Sequence, residues 1–167
     1  MAERALIELL YGKGAHANPV ACVEGVSLEL SGRRVEGFPH SIWQLISHLN
    51  YWTDYELRRI RGEAPKYPDH AAESWPAKSA PGGEQEWKKT ISEFRELLGK
   101  LAALAESSPE ELARPIAATH PDHAKHASTL VDVLWQTLVH NSYHVGQIAM
   151  LRRVLDAWPP PGGGDSW

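Results

Sequence analysis

TLVDVLWQTLVHNSYHVGQIAMLRRVL, residues 129 to 155, decides the fold. Apolar residues recur through it at three- and four-residue spacing, the period of a helix. Thr129 and Asp132 match a capping motif at its start, the pattern runs to about Ala157, and Pro159 to Pro161 stop it. Inside the run stand His140 and His144. Four residues of helix correspond to about 40° of rotation and about 6 Å of rise, so both imidazoles leave the same face. Val133, Thr137, Ile148 and Leu151 share that face, which therefore borders the core. Two readings are open. Each ring is hydrogen-bonded at a helix edge, or both nitrogens are aimed at one metal ion.

Three more helical segments lie upstream. The first spans about Ala2 to Tyr11 and is expected to resume after Gly14 as HANPVACVEGV. The second follows Pro39. Ser41 and Gln44 form a capping box, Ile42, Leu45, Ile46, Leu49 and Leu57 make its stripe, and Gly62 and Pro65 close it. The third begins near Glu84 and carries Trp87, Ile91, Phe94, Leu98, Leu101 and Leu104 toward the core. SSPEEL, residues 107 to 112, reads as its stop followed by a short new turn. Between the second and third helices lie about 22 residues rich in Pro, Gly and Ala, with no period of either kind. A connection of that length inside a compact domain is usually functional, and Tyr67 and Trp75 are placed to pack it over a pocket. No alternating pattern is longer than VSLEL, residues 26 to 30. The prediction is an all-α four-helix bundle with long connecting loops, a single domain over residues 1 to 158 and a disordered tail from 159 to 167.

Composition narrows the function classes. Charged residues are 23% and hydrophobic residues 43%, the balance of a globular chain. The net charge of −4 and the absence of a basic run argue against nucleic-acid binding. No apolar stretch approaches the roughly 20 residues that cross a bilayer, and MAERALIELL reads as a helix rather than a signal peptide. One cysteine, Cys22, allows no internal disulfide and suits a cytoplasmic protein. It is expected to be buried and inert.

Nine histidines are many for 167 residues. His48 is the one that gives the HxxxH pair a partner. It lies mid-helix with Leu45 and Trp52 on its face, a costly place for an unpaired polar ring. If the two helices face each other, His48, His140 and His144 form a three-nitrogen set. Such a set leaves coordination positions open for water or substrate, as catalytic sites do.

HSIWQLISHLNYW, residues 40 to 52, followed some 90 residues later by HNSYHVGQIAMLRR, residues 140 to 153, resembles the DinB/YfiT-like superfamily of metalloenzymes. The resemblance rests on Ser41, Ile42, Leu45 and His48 in the first block, and on His140, His144 and Gln147 in the second. It implies a four-helix bundle in which His48, His140 and His144 bind a divalent metal ion. It also leaves open two chemistries known among relatives, hydrolysis and thiol-dependent transfer. Imidazole suits Zn, Ni and Fe alike, so the ion is not readable.

Around such a centre, Gln147 is one turn from His144 and is expected to orient a ligand or a water. Tyr51, Trp52, Tyr55 and Tyr143 are candidate pocket walls. Asn141 stands where an HExxH enzyme has its glutamate, so the zinc-protease arrangement is not supported. Asp54 and Glu56 are the nearest candidate bases. HPDHAKH, with His120, His123 and His126, reads as a solvated loop. His16, His40 and His70 read as surface, His40 with a possible place on the pocket rim. The expected partners are a small-molecule substrate, including a low-molecular-weight thiol, and a second copy of the chain, since bundles with wide apolar faces often dimerise.

Overall fold

The structure is a computed structural model. It describes residues 2–120 and 128–164, with side chains from Ala5 onward. Four long helices form the body: α1 (Ala2–Leu10), α3 (Ile42–Ile60), α4 (Glu84–Ala105) and α6 (Leu130–Val154). Two short helices, α2 (Leu28–Gly32) and α5 (Pro109–Leu112), sit in the connections. The predicted bundle is present. It carries one small addition, a two-residue antiparallel ladder of β1 (Pro115–Ile116) and β2 (Ser128–Thr129).

The helix starts are where the sequence put them. Ser41 Oγ accepts from the Gln44 amide while Gln44 Oε1 accepts from the Ser41 amide. Thr129 and Asp132 make the same reciprocal pair at α6, and Ser108 caps α5. Each pair satisfies backbone donors that would otherwise lack partners. One expectation is corrected. The chain does not resume helix α1 after Gly14. Gly12 and Gly14 take positive φ, and Asn18 Oδ1 caps a single 3-10 turn at Ala21–Val23 instead. In VSLEL, the longest alternating segment, Leu28 to Leu30 enter α2, which Ser27 caps by accepting from the Leu30 amide. Helix α6 ends at Val154, three residues early, and Asp156 then turns with φ 53°. The described residues of the tail, 159–164, run in turns; Pro160 is buried there.

Two apolar clusters fill the bundle. One joins Leu6 and Leu10 of α1 to the end of α3, the end of α4 and the start of α6. The other joins the start of α3 (Ile42, Ile46, Leu49), the start of α4 (Trp87, Phe94) and the end of α6 (Val145, Ile148, Leu151). Starts meeting starts makes α3 and α4 parallel neighbours, with α6 antiparallel to both. A parallel pair needs a crossover as long as the helix itself, which explains the long segment between residues 61 and 83. It returns along α3 and crosses the level between the two clusters. At that level the buried side chains are polar: His48, Thr53 and Glu56 on α3, and Thr137, Asn141 and His144 on α6. Buried polar groups cost free energy unless they are partnered, so a polar layer between two apolar ones marks the functional level.

Candidate metal centre

The three histidines meet. One ring nitrogen each from His48, His140 and His144 lies within 4.8 Å of the other two. His48 and His144 are each only 6% exposed, so this is a buried cluster and not a rim of surface imidazoles. The Nε2 atoms of His140 and His144 are 3.1 Å apart. Two imidazoles sharing one ion at about 2.1 Å each stand about 3.0–3.4 Å apart, so this pair already has ligand spacing. The His48 ring lies across from them, its centroid 5.2 Å from that of His140 and 5.0 Å from that of His144.

The outer nitrogens are held as a metal site requires. His48 Nδ1 donates to the Ser74 carbonyl at 3.2 Å, and a carbonyl only accepts, so the proton sits on Nδ1 and Nε2 keeps its lone pair. His144 Nδ1 donates to Gln147 Oε1 at 2.7 Å. Burial keeps all three rings neutral. It drives His48 down to about 3 and His140 to about 4, and it lowers His144 as well. Each positive ring would further disfavour its neighbours. Neutral imidazoles, two of them with the tautomer fixed by an outer hydrogen bond, are the form that binds a cation, so these residues fit a divalent ion.

The crossover segment closes one side. Trp75 is stacked between His48 and His40, with ring centroids 3.7 and 3.6 Å away and interplanar angles of 7°. Side chains of the α3 start tie the segment down: Gln44 Nε2 donates to the Pro76 carbonyl, and Ser41 Oγ to that of Ser79. His40, read as a surface residue, is therefore half-buried against the site. Its alternative place on the pocket rim is the one the structure supports, and the contact is made through Trp75, in a segment without periodicity. His16 is likewise half-buried, against Ser142 at 2.9 Å.

On the other side a cavity of about 180 Å³ opens beside His140. Trp52, Tyr67, Glu56, Gln136 and Thr137 complete its lining. Trp52 is thus a pocket wall. Tyr55 stands behind it, packed on Trp52 and Tyr67 and hydrogen-bonded to Thr119. Tyr51 is at the edge of Trp52, 36% exposed, and is not among the lining residues. Tyr143 is 65% exposed, its ring 5.0 Å from that of His144. Of the two candidate bases, Glu56 lines the cavity and Asp54 does not. Burial pushes the Glu56 carboxyl above the usual carboxylate range, opposed by Arg59, whose Nε is 2.9 Å away. Glu56 is two turns beyond His48 on the same stripe, the signal by which the sequence could have singled it out.

The remaining candidates lie elsewhere. Cys22 is fully buried, and burial raises its thiol to about 11, so it is inert. His70 sits at the start of a 3-10 turn, Ala71–Ser74. His120 packs against Tyr67, with ring centroids 5.0 Å apart. His123 and His126 lie outside the described residues.

Comparison with known proteins places the chain in a family and a fold. A family model described as the DinB superfamily matches residues 14–148, most of the chain. The chain belongs to the DinB superfamily. In structure this DinB-superfamily chain is similar to YfiT from Bacillus subtilis, described as "a probable metal-dependent hydrolase with an unusual four-helix bundle topology". The TM-score is 0.61 at 18% identity, over 92% of this chain and 87% of that one. At that identity the likeness establishes a shared fold. No curated protein matches the sequence. Among the described residues no helix is long and apolar enough to cross a membrane.

Proposed function

We propose that this DinB-superfamily protein is a metal-dependent hydrolase acting on a small substrate. The reading rests on one observation: three neutral imidazoles, two of them buried and the third half-buried, converge beside a cavity that also holds a buried carboxylate. His48, His140 and His144 would hold a divalent ion such as Zn, Ni or Fe. When bound, such an ion supplies a positive charge that lowers the pKa of a water, or of a thiol, toward neutrality.

The protein's own groups account for the rest. Ser74 and Gln147 fix the ring orientations of His48 and His144. Trp75 covers His48 and keeps bulk water off that side. Trp52 and Tyr67 offer aromatic faces to the apolar part of a substrate, while Gln136 offers a polar amide. Glu56 takes the proton released from the nucleophile. A carboxyl whose pKa is raised by burial is better matched to that task near neutral pH than an exposed one. The cavity volume suits a substrate portion of modest size, not a polymer. The shape of YfiT and its description as a probable metal-dependent hydrolase support the same reaction class here.

The test is turnover by protein reconstituted with Zn, Ni or Fe(II) against a panel of small esters and amides. A parallel arm offers an alkyl electrophile with a low-molecular-weight thiol. Ester or amide turnover that disappears in His48→Ala, and falls in Glu56→Gln while the metal is retained, is the expected result. Turnover confined to the thiol arm replaces the hydrolase reading with a thiol transferase. No turnover in either arm with metal bound leaves a metal-binding sensor.

A further inference from the structure

His40 stands immediately before the Ser41 cap of α3 and is half-buried. Its Nδ1 atom is buried and has no hydrogen-bond partner among the described residues. A polar atom taken out of water without a partner costs free energy, so this one calls for a partner. The plane of the ring is set by its stack on Trp75, 3.6 Å between centroids. Burial and the nearby Arg34 guanidinium hold the ring below its ordinary pKa. At neutral pH it is therefore uncharged, with a proton on one nitrogen and a lone pair on the other.

A small cavity of about 20 Å³ adjoins this ring. Phe38, Pro39, Leu45 and Leu151 give it apolar walls, and Gln147 is its other polar lining residue. A water molecule needs about 10–15 Å³ of such space, so there is room for one water and for nothing larger. Gln147 reaches the cavity from α6 with one end of its amide already committed. Its Oε1 accepts from His144 Nδ1 at 2.7 Å, which leaves Nε2 as the end that donates. A buried water is held where at least two polar groups converge on it. Here an amide donor from α6 and an orphaned ring nitrogen beside α3 line one water-sized space.

We propose that His40 is a positioning residue for the metal centre, acting through one water held between it and Gln147. The water accepts from Gln147 Nε2 and donates to His40 Nδ1, which puts the ring proton of His40 on its Nε2. The bridge fixes the Gln147 amide in the orientation that keeps the proton of His144 on Nδ1 and leaves His144 Nε2 free to bind an ion. The same ring backs the ligand of the other helix, since Trp75 lies stacked between His40 and His48. His40 thereby joins the supports of two ligands that reach the centre from α3 and α6. The positioning role rests on the reading of His48, His140 and His144 as metal ligands; the bridge itself does not.

Two measurements on the full chain test the bridge and the role separately. Nitrogen NMR of the histidine rings in metal-free protein at neutral pH reads the bridge. His40 is expected as the Nε2–H tautomer with an unprotonated Nδ1, and Gln147→Ala is expected to shift that Nδ1 resonance. A proton on Nδ1, or a resonance that Gln147→Ala leaves in place, would overturn the bridge. Zinc affinity, measured by competition with a chromophoric chelator, reads the role. His40→Phe keeps a ring on Trp75 and removes the acceptor, so it is expected to bind zinc about 10-fold more weakly. His40→Asn removes the ring but keeps a side-chain acceptor near the place of Nδ1, and is expected to stay close to wild type. The double variant His40→Phe/Gln147→Ala is expected to lose no more than Gln147→Ala alone, because both residues act through one bridge. If His40→Asn is the weaker binder, the stack and not Nδ1 supports the centre, and the role is overturned. Additive losses in the double variant would overturn it too, by making His40 and Gln147 independent. A wild type that binds no zinc would sink the three-histidine reading, and with it the role, while the ring spectra would still decide the bridge.

Discussion

Lowering the pH of the metal-free protein should destabilise it through the clustered histidines. His48 has an ordinary value of 6.5 when unfolded and about 3 when folded, chiefly because burial disfavours the charged ring. Between these values the unfolded chain binds a proton that the native chain does not. Stability therefore rises with pH across this window. It is fully present above about pH 6.5 and is lost as the pH falls from there toward 3. At pH 5 the loss from His48 alone is on the order of 2 kcal/mol, a large share of the stability of a domain this size. His140 and His144 act in the same direction. Glu56 acts in the opposite one, because its carboxyl is raised, but only as the pH falls through that raised value. Urea titrations of metal-free protein at pH 7.5, 6.5, 5.5 and 5.0, followed by tryptophan fluorescence, should show the midpoint falling steadily. His48→Phe keeps an aromatic ring against Trp75 and removes the titration, so its midpoint should fall less by an amount equivalent to about 2 kcal/mol at pH 5. Parallel losses in wild type and His48→Phe would refute the claim that burial holds His48 neutral. At neutral pH, zinc at a hundredfold excess over its Kd should add about 2.7 kcal/mol to wild type and far less to the variant.

Gln147→Ala removes the acceptor that holds His144 Nδ1, and metal affinity measured by competition with a chromophoric chelator should fall about 10- to 100-fold without loss of the fold. Trp75→Ala removes the ring stacked between His40 and His48. It should cost about 3 kcal/mol in chemical denaturation and raise proteolytic cutting between residues 62 and 83. If the cutting rate is unchanged, Trp75 is not what ties that segment down. Leu134→Ala, at a fully buried position of the cluster remote from the histidines, should cost about 2–5 kcal/mol while leaving the metal content of the folded protein intact.

The helices and the histidine pair of the candidate centre were legible in the sequence because both follow from local spacing. Ser41 with Gln44, and Thr129 with Asp132, announce helix starts through side chains three residues apart. His140 with His144 shares a face by the same arithmetic. His48 could be joined to them only through the resemblance to a family, since no local pattern says which helices face each other. The crossover was expected to pack over a pocket through Tyr67 and Trp75; what stayed hidden is which of its contacts hold the histidines. Trp75, Ser74 and His40 reach the site because α3 and α4 are parallel, and parallel neighbours oblige the chain to run back over the histidines. That topology is a property of the whole bundle. The glycines at 12 and 14 show the opposite failure, in which local turn chemistry overrode an apolar pattern. Glu56 lies between. Its spacing from His48 was visible, but its place in the cavity depended on Tyr67 from the crossover and Gln136 from α6.

Elemental analysis by mass spectrometry of tag-free protein is the most direct measurement. Wild type, His48→Ala and the double variant His140→Ala/His144→Ala would be reconstituted with Zn, Ni or Fe(II) and desalted side by side. One tightly held divalent ion per chain in the wild type, lost from both variants while their helical content remains, is the expected result. An ion retained in both variants, or a wild type that holds none after reconstitution, would contradict a metal centre built from His48, His140 and His144.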